Sequence, residues 1–234
     1  MAGETTGGPA GPSTAIIFDL DGVLVDSEPL HLEAERRALL DFGVTGYGLD
    51  VKARLMGRGS REIMQAFIDI YSLSGVTPEQ LEHRKAHHHE ALRSHLRGFE
   101  PMVRLARQLA DRGYRLAVAS GSTRGFIDLA LGSLRLDGVF ECTLAAAEVG
   151  RGKPHPDLFL EAARRLQVAP EACLVLEDSV PGVLAARAAG MRCVALPSSP
   201  SDAQAQHPVA DLVLTGGAGD VSTSSMLTWI GRLG

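Results

Sequence analysis

The feature that most constrains the fold is a set of short apolar runs. Each stops at polar residues, and a helix-like segment separates it from the next. Ala15-Ile16-Ile17-Phe18 stops at Asp19, Leu116-Ala117-Val118-Ala119 at Ser120, and Cys173-Leu174-Val175-Leu176 at Glu177-Asp178. Cys193-Val194-Ala195-Leu196 is a further run, and Leu212-Val213-Leu214 reads as a last short strand. Four apolar residues in a row suit a strand buried on both faces. Strands alternating with helices predict an α/β fold with a doubly wound, mostly parallel sheet. Ligands bind such sheets at the carboxyl ends of the strands. Asp19, Ser120 and the Glu177-Asp178 pair are therefore expected on one edge, although they are far apart in the chain.

One stretch departs from the alternation. From about residue 28 to 96 the pattern is wholly helical. Pro29 suits a first helical turn, and Leu30, Ala34, Ala38 and Phe42 recur on one face up to Gly43. Gly46, Gly48, Gly57 and Gly59 read as a loop, and Ser60 as the cap of a second helix. Thr77-Pro78-Glu79-Gln80 has the capping-box pattern that opens a third. The chain thus divides into a core over 14–27 and 97–234 and an inserted small helical cap over 28–96. An insertion at the ligand-binding edge is expected to act as a lid. Residues 1–13, rich in Gly, Thr and Pro, read as a flexible tail without the basic start and apolar middle of a signal peptide.

Composition narrows the function classes. A formal charge of −5 argues against a nucleic-acid surface. No apolar run reaches membrane-spanning length. Cys142, Cys173 and Cys193 are odd in number and widely spaced, which reads as buried free thiols in a reducing cytoplasm. A monomer is expected.

The polar residues at the strand ends carry the chemistry. A carboxylate such as Asp19 can attack phosphorus and become an aspartyl-phosphate. A second acid two residues on, Asp21, can protonate a leaving oxygen and later take a proton from water. The Asp21-Gly22 pair also suits a plain turn. Ser120-Gly121-Ser122, between a strand and a helix, can hold phosphate oxygens with a hydroxyl and backbone N–H groups, and either serine also suits an N-cap. Lys153 sits in Gly150-Arg151-Gly152-Lys153-Pro154-His155-Pro156-Asp157, a stiff turn that can present its charge to phosphate. Glu177-Asp178-Ser179 places two acids after a buried strand, which is costly unless they are paired or bind a cation. With Asp19 they make an oxygen-rich set of the kind magnesium takes. Asp178 or Ser179 also suits a helix cap.

The ordered set Asp19-Leu20-Asp21-Gly22-Val23, Ser120, Gly152-Lys153-Pro154-His155-Pro156-Asp157, and Glu177-Asp178-Ser179 with Gly182 and Ala189-Gly190 resembles the haloacid dehalogenase-like hydrolase superfamily. The likeness runs from about residue 15 to 197 and is to the branch of sugar-phosphate phosphatases and β-phosphoglucomutase. The resemblance implies Asp19 as nucleophile and Asp21 as general acid/base. It implies Mg2+ held by Asp19, the Asp21 backbone carbonyl and Asp178, with Glu177 a ligand or a supporting partner. Ser120, the Gly121 N–H and Lys153 would hold the phosphoryl group of a small phosphorylated metabolite. In the cap, Asp26-Ser27 with His31, Ser60-Arg61-Glu62, and Arg84-Lys85 partly resemble β-phosphoglucomutase, which implies substrate contacts for His31, Arg61 and Lys85. Gly121 departs from the Asn, Ser or Ala common after the motif serine, and Phe99-Glu100-Pro101 lacks the usual Pro-Gly at the return from the cap. His87-His88-His89 has no counterpart there. Successive helical residues point about 100° apart, so the three share no face and no metal site is expected of them. The expected reaction is phosphate-ester hydrolysis; the alternatives are a phosphomutase, a metal-free dehalogenase, or a metabolite-binding protein without catalysis.

Overall fold

The computed structural model describes residues 14–55, 60–92, 95–206 and 208–233. The tail expected over 1–13 and the Gly57-Arg58-Gly59 segment lie outside them. The chain divides into two compact units, one ending at Asp26 and resuming at Arg97, the other running from Ser27 to Leu96.

The first unit is built on a six-stranded sheet. Its strands are β1 (Ala15–Phe18), β4 (Arg115–Ser120), β5 (Cys142–Ala145), β6 (Cys173–Glu177), β7 (Arg192–Ala195) and β8 (Leu212–Val213), in the order β5-β4-β1-β6-β7-β8. All neighbouring pairs are parallel. A separate antiparallel pair, β2 (Val25–Asp26) with β3 (Arg97–Gly98), closes the two ends at which the chain leaves and re-enters this unit. The crossovers run through α5 (Glu100–Asp111), α6 (Arg124–Ser133), α7 (Asp157–Arg165) and α8 (Val180–Ala188). Beyond β7 come α9 (Pro200–Gln206) and α10 (Thr223–Ile230).

Both faces of the sheet are covered, as the unbroken apolar runs require. Ala15, Ile17, Ala117 and Val175 pack with Phe159 and Ala162 of α7 and Val183 and Ala186 of α8. Ile16, Phe18, Val118 and Leu174 alternate to the opposite face and are equally buried, and α5 packs against β4 and α10. Register then sets the site. Phe18 pairs with Val118 on one side and Leu176 on the other. Asp19 therefore leaves the sheet level with Ala119 and Glu177, one residue before Ser120 and Asp178.

The second unit packs α1 (Glu28–Leu40), α2 (Leu49–Leu55), α3 (Ser60–Tyr71) and α4 (Pro78–Ala91) around Leu39, Leu55, Met64, Phe67 and Leu81. The capping box at Thr77 is present, with the Gln80 N–H donating to Thr77 Oγ1 at 3.3 Å and the Thr77 N–H to Gln80 Oε1 at 2.9 Å. The chain turns out of α1 at Gly43, whose φ of +83° an L side chain rarely adopts. Three elements differ from expectation. The segment read as a glycine loop contains α2, β5 passes as a strand of Cys, Thr, Leu and Ala, and the cap of α6 is Thr123 rather than Ser120 or Ser122. Thr123 Oγ1 accepts the Phe126 N–H, which leaves both serines for other partners.

Candidate active site

The site grows from the carboxyl edge of β1. The Asp19 N–H donates to Leu176 O at 2.9 Å, which ties the first residue beyond β1 to the neighbouring strand. The chain then folds back through a tight loop in which Leu20 O accepts the Leu24 and Val25 N–H groups. Gly22 sits in that loop with φ +75°, and a Cβ there would fall 2.0 Å from Asp178 Oδ2. Glycine is what lets the loop after β1 lie against the turn after β6.

Lys153 links the two strands. Its Nζ donates to Asp19 Oδ1 and to Glu177 Oε2, each at 2.6 Å. The ammonium also lies over the Phe159 ring, 5.1 Å from Nζ to the centroid. The preceding loop is braced by Arg151, which donates to both Asp157 oxygens, and the Lys153–Pro154 peptide is cis. Burial alone would lower the Lys153 pKa, but Asp19 and Glu177 outweigh it and hold the ammonium firmly charged.

Glu177 is fully buried and its oxygens are committed. Oε1 accepts the Asp178 N–H at 3.2 Å, the Ser179 N–H at 2.9 Å and the Ser179 hydroxyl at 2.7 Å, while Oε2 accepts Lys153. Asp178 remains half-buried at the mouth of the turn. Ser179 Oγ also caps α8 by accepting the Gly182 N–H at 3.1 Å. The cap role weighed for this serine and the acidic site therefore coexist.

Asp21 faces a different set of groups. Its Oδ2 accepts the Ser122 hydroxyl at 2.6 Å and lies 3.4 Å from the Ser120 hydroxyl. Ser120 Oγ in turn accepts the Ser122 N–H at 2.9 Å. Gly121, between them, is exposed, with open space where a side chain would stand. The two aspartates thus part company. Asp19 is held by a lysine on the buried side, and Asp21 by two serines in the loop after β4.

One oxygen from each of Asp19, Glu177 and Asp178 lies within 4.8 Å of the others. Burial, then the charge of Glu177, raises Asp19 to about 8 against the pull of Lys153, with Asp21 adding to the rise. Asp178 is raised as well, by burial first and then by Glu177 and Asp19. An all-oxygen set, two of its carboxylates buried and the third half-buried, whose charges push one another's pKa upward suits a hard divalent cation, which relieves the repulsion. With Glu177 engaged by four donors, Asp19 and Asp178 are the carboxylates best placed to hold one.

Residues 16–196 match the family model described as haloacid dehalogenase-like hydrolase. The chain belongs to that family. It is 36% identical over 181 residues to the fructose-1-phosphate phosphatase YqaB of Escherichia coli K12, covering 76% of this chain and 94% of that protein. It is 32% identical over 194 residues to a bifunctional riboflavin kinase/FMN phosphatase of Arabidopsis thaliana, covering 80% of this chain but only 49% of that protein, so the chain spans about half the length of that relative. Its fold superposes on the crystal structure of a putative β-phosphoglucomutase from Thermotoga maritima with a TM-score of 0.77 at 28% identity, covering 94% of this chain and 99% of that one.

The expected cap residues are all engaged within their own unit. Lys85 Nζ donates to Glu35 Oε1 at 2.7 Å. Glu35 is buried and also accepts Lys52 at 2.9 Å and the Tyr47 hydroxyl at 2.5 Å. Arg61 pairs with Glu79 on an exposed face. His31 stacks on His89, with ring centroids 4.7 Å apart. No helix among the described residues is long and apolar enough to cross a membrane. Sequence reasoning missed Glu35 as the partner of Lys85, Ser122 as the partner of Asp21, and Gln206, whose Nε2 donates to the Asp178 carbonyl. A serine two residues after the motif serine was a visible signal for the second. Nothing local marked the other two.

Proposed function

We propose that this chain is a phosphatase that hydrolyses a small phosphorylated metabolite of sugar-phosphate type through an aspartyl-phosphate on Asp19. The observation that carries the reading is the separation of roles between the two aspartates. Lys153 takes Asp19 Oδ1, and Oδ2 carries no hydrogen bond among the described residues. Oδ2 is the nucleophile: it forms the bond to phosphorus as the bond from phosphorus to the ester oxygen breaks. Asp21, steadied by Ser122, gives that oxygen its proton. Water then attacks the phosphorus, Asp21 takes the water proton, and the bond from phosphorus to Asp19 breaks to release phosphate. Ser120 and the Gly121 N–H hold the oxygens of the transferring group, and Lys153 offsets charge on the nucleophile and on phosphate. Asp19, Asp178 and the Asp21 carbonyl would hold Mg2+, which when bound neutralises charge on the carboxylates and the phosphoryl oxygens.

Hydrolysis is favoured over mutase chemistry by the cap. A mutase must grip a second phosphate, and of the cap residues expected to contact substrate, Lys85 is bound to buried Glu35 and Arg61 is paired with Glu79. The test is a panel of phosphomonoesters with and without Mg2+. Phosphate release that needs Mg2+ and is abolished by Asp19→Asn supports the reading. No release from any ester refutes it. Formation of glucose 6-phosphate from β-glucose 1-phosphate and a bisphosphate primer would establish the mutase instead.

A further inference from the structure

Gln206 lies 28 residues beyond the acidic turn, at the end of α9, and none of the family motifs includes it. It is 1% exposed, one of very few buried polar residues in this unit. Its Nε2 donates to the backbone carbonyl of Asp178 at 2.5 Å. That carbonyl immediately precedes Ser179, the cap of α8, so no N–H of α8 is due to it. A carbonyl in that position needs a donor from elsewhere.

The rest of the turn is pinned in the same way. The Asp178 N–H is held by Glu177 Oε1, and the Asp178 carboxylate lies against Gly22, where no side chain fits. The Gln206 amide supplies the remaining hold, on the carbonyl side. The end of α9 is itself fixed, since Gln206 O accepts the N–H groups of Val209 and Ala210, each at 3.0 Å. Gln206 Oε1 is buried and has no hydrogen-bond partner among the described residues. The donor end of the amide is therefore the end in use.

We infer that Gln206 is a positioning residue for the cation site: through the Asp178 carbonyl it sets the turn that presents the Asp178 carboxylate. The inference rests on the acidic cluster binding a divalent cation, as in the function proposed above. Groups that orient metal ligands typically change affinity 10- to 100-fold when removed. Gln206 contacts neither substrate nor reacting atoms, so its loss should weaken metal binding and leave turnover at saturating metal largely intact.

Calorimetric titration of the full chain with Mg2+ alone tests this, using Gln206→Met, which keeps the volume and removes the donor. The expected result is a Kd for Mg2+ raised about tenfold or more, with an unchanged far-UV spectrum and kcat at saturating Mg2+ within about threefold of wild type. A Kd within about twofold of wild type in the folded variant overturns the inference and leaves the proposed function standing. If the wild-type chain itself takes up no Mg2+, both fall. Hydrogen exchange on the wild-type chain tests the same coupling without a substitution. By reciprocity, Mg2+ should slow amide exchange in residues 200–206 as well as around 177–182. Protection confined to 177–182 overturns the inference even where Gln206→Met fails to fold.

Discussion

Replacing Gly182 with alanine places one methyl group against a fully buried carboxylate that already accepts four hydrogen bonds. The new Cβ would lie 2.0 Å from Glu177 Cδ, 2.1 Å from Oε2 and 2.5 Å from Cγ. Carbon atoms in contact sit about 3.5–4.0 Å apart, so roughly 1.5 Å of movement is required. Glu177 is fully buried and cannot swing into solvent. Any shift of that size breaks the 2.6 Å bond to Lys153 or the bonds to Ser179. Breaking a buried pair costs about 3–5 kcal/mol. Alanine returns up to about 1 kcal/mol as a better helix former than glycine. The net loss is about 2–4 kcal/mol. At a urea slope of about 3 kcal/mol/M this lowers the unfolding midpoint by roughly 1 M. Urea unfolding followed by circular dichroism, with phosphatase turnover measured beside it, is the assay. Both midpoint and turnover should fall. Gly121→Ala is the control, since open space surrounds that position and the backbone N–H is kept, so its midpoint should stay near wild type. An unchanged midpoint for Gly182→Ala would refute the claim that Glu177 is locked.

Three further outcomes follow from the same geometry. Lys153→Met leaves Asp19 and Glu177 facing each other without a cation, and should lower kcat by about 10²–10³-fold or more in steady-state assays; a loss below tenfold would remove Lys153 from the reaction. Asp19, raised to about 8 in the metal-free protein, keeps a proton that the unfolded chain loses above about 3.8. Its contribution to stability therefore declines as pH rises from about 4 to 8. The cation needs the ionised form of Asp19 and of Asp178, which is raised as well, so calorimetry should show Mg2+ affinity climbing from pH 6 to 8 with proton release; a flat profile contradicts the assignment. In the second unit, Glu35→Ala leaves Lys52 and Lys85 without their shared carboxylate, and should cost about 3–5 kcal/mol in denaturant unfolding. A stable variant would mean that Lys85 is not held in this way.

Short-range chemistry was legible in the chain. The apolar runs ending at Asp19, Ser120 and Glu177 became parallel strands because four successive apolar side chains can be buried only between two covered faces. Thr77-Pro78-Glu79-Gln80 opened a helix because a capping box closes within four residues. Asp19, Asp21, Lys153 and the Glu177-Asp178 pair could be picked out as candidates because their chemistry resides in residue type and, for all but Lys153, in position at or just after a strand end.

Partners across long separations were not legible. The Ser120-Gly121-Ser122 run suited a helix cap equally well, and only the use of Thr123 as the actual cap freed both serines to face Asp21. By residue type alone the Glu177-Asp178 pair is two adjacent acids. The meeting of β1 and β6 with the Lys153 loop is what turns one toward the lysine and leaves the other open. Lys85 looks like a ligand-binding cation on its helix, and Glu35, 50 residues away, makes it an internal ion pair. Residue type and local pattern determined which groups are candidates for the chemistry and where each sits along the chain. Sheet order and helix packing decided which of them touch, because a hydrogen bond between residues 134 apart, as between Asp19 and Lys153, depends on how whole strands and helices stack and leaves no local periodicity in the sequence.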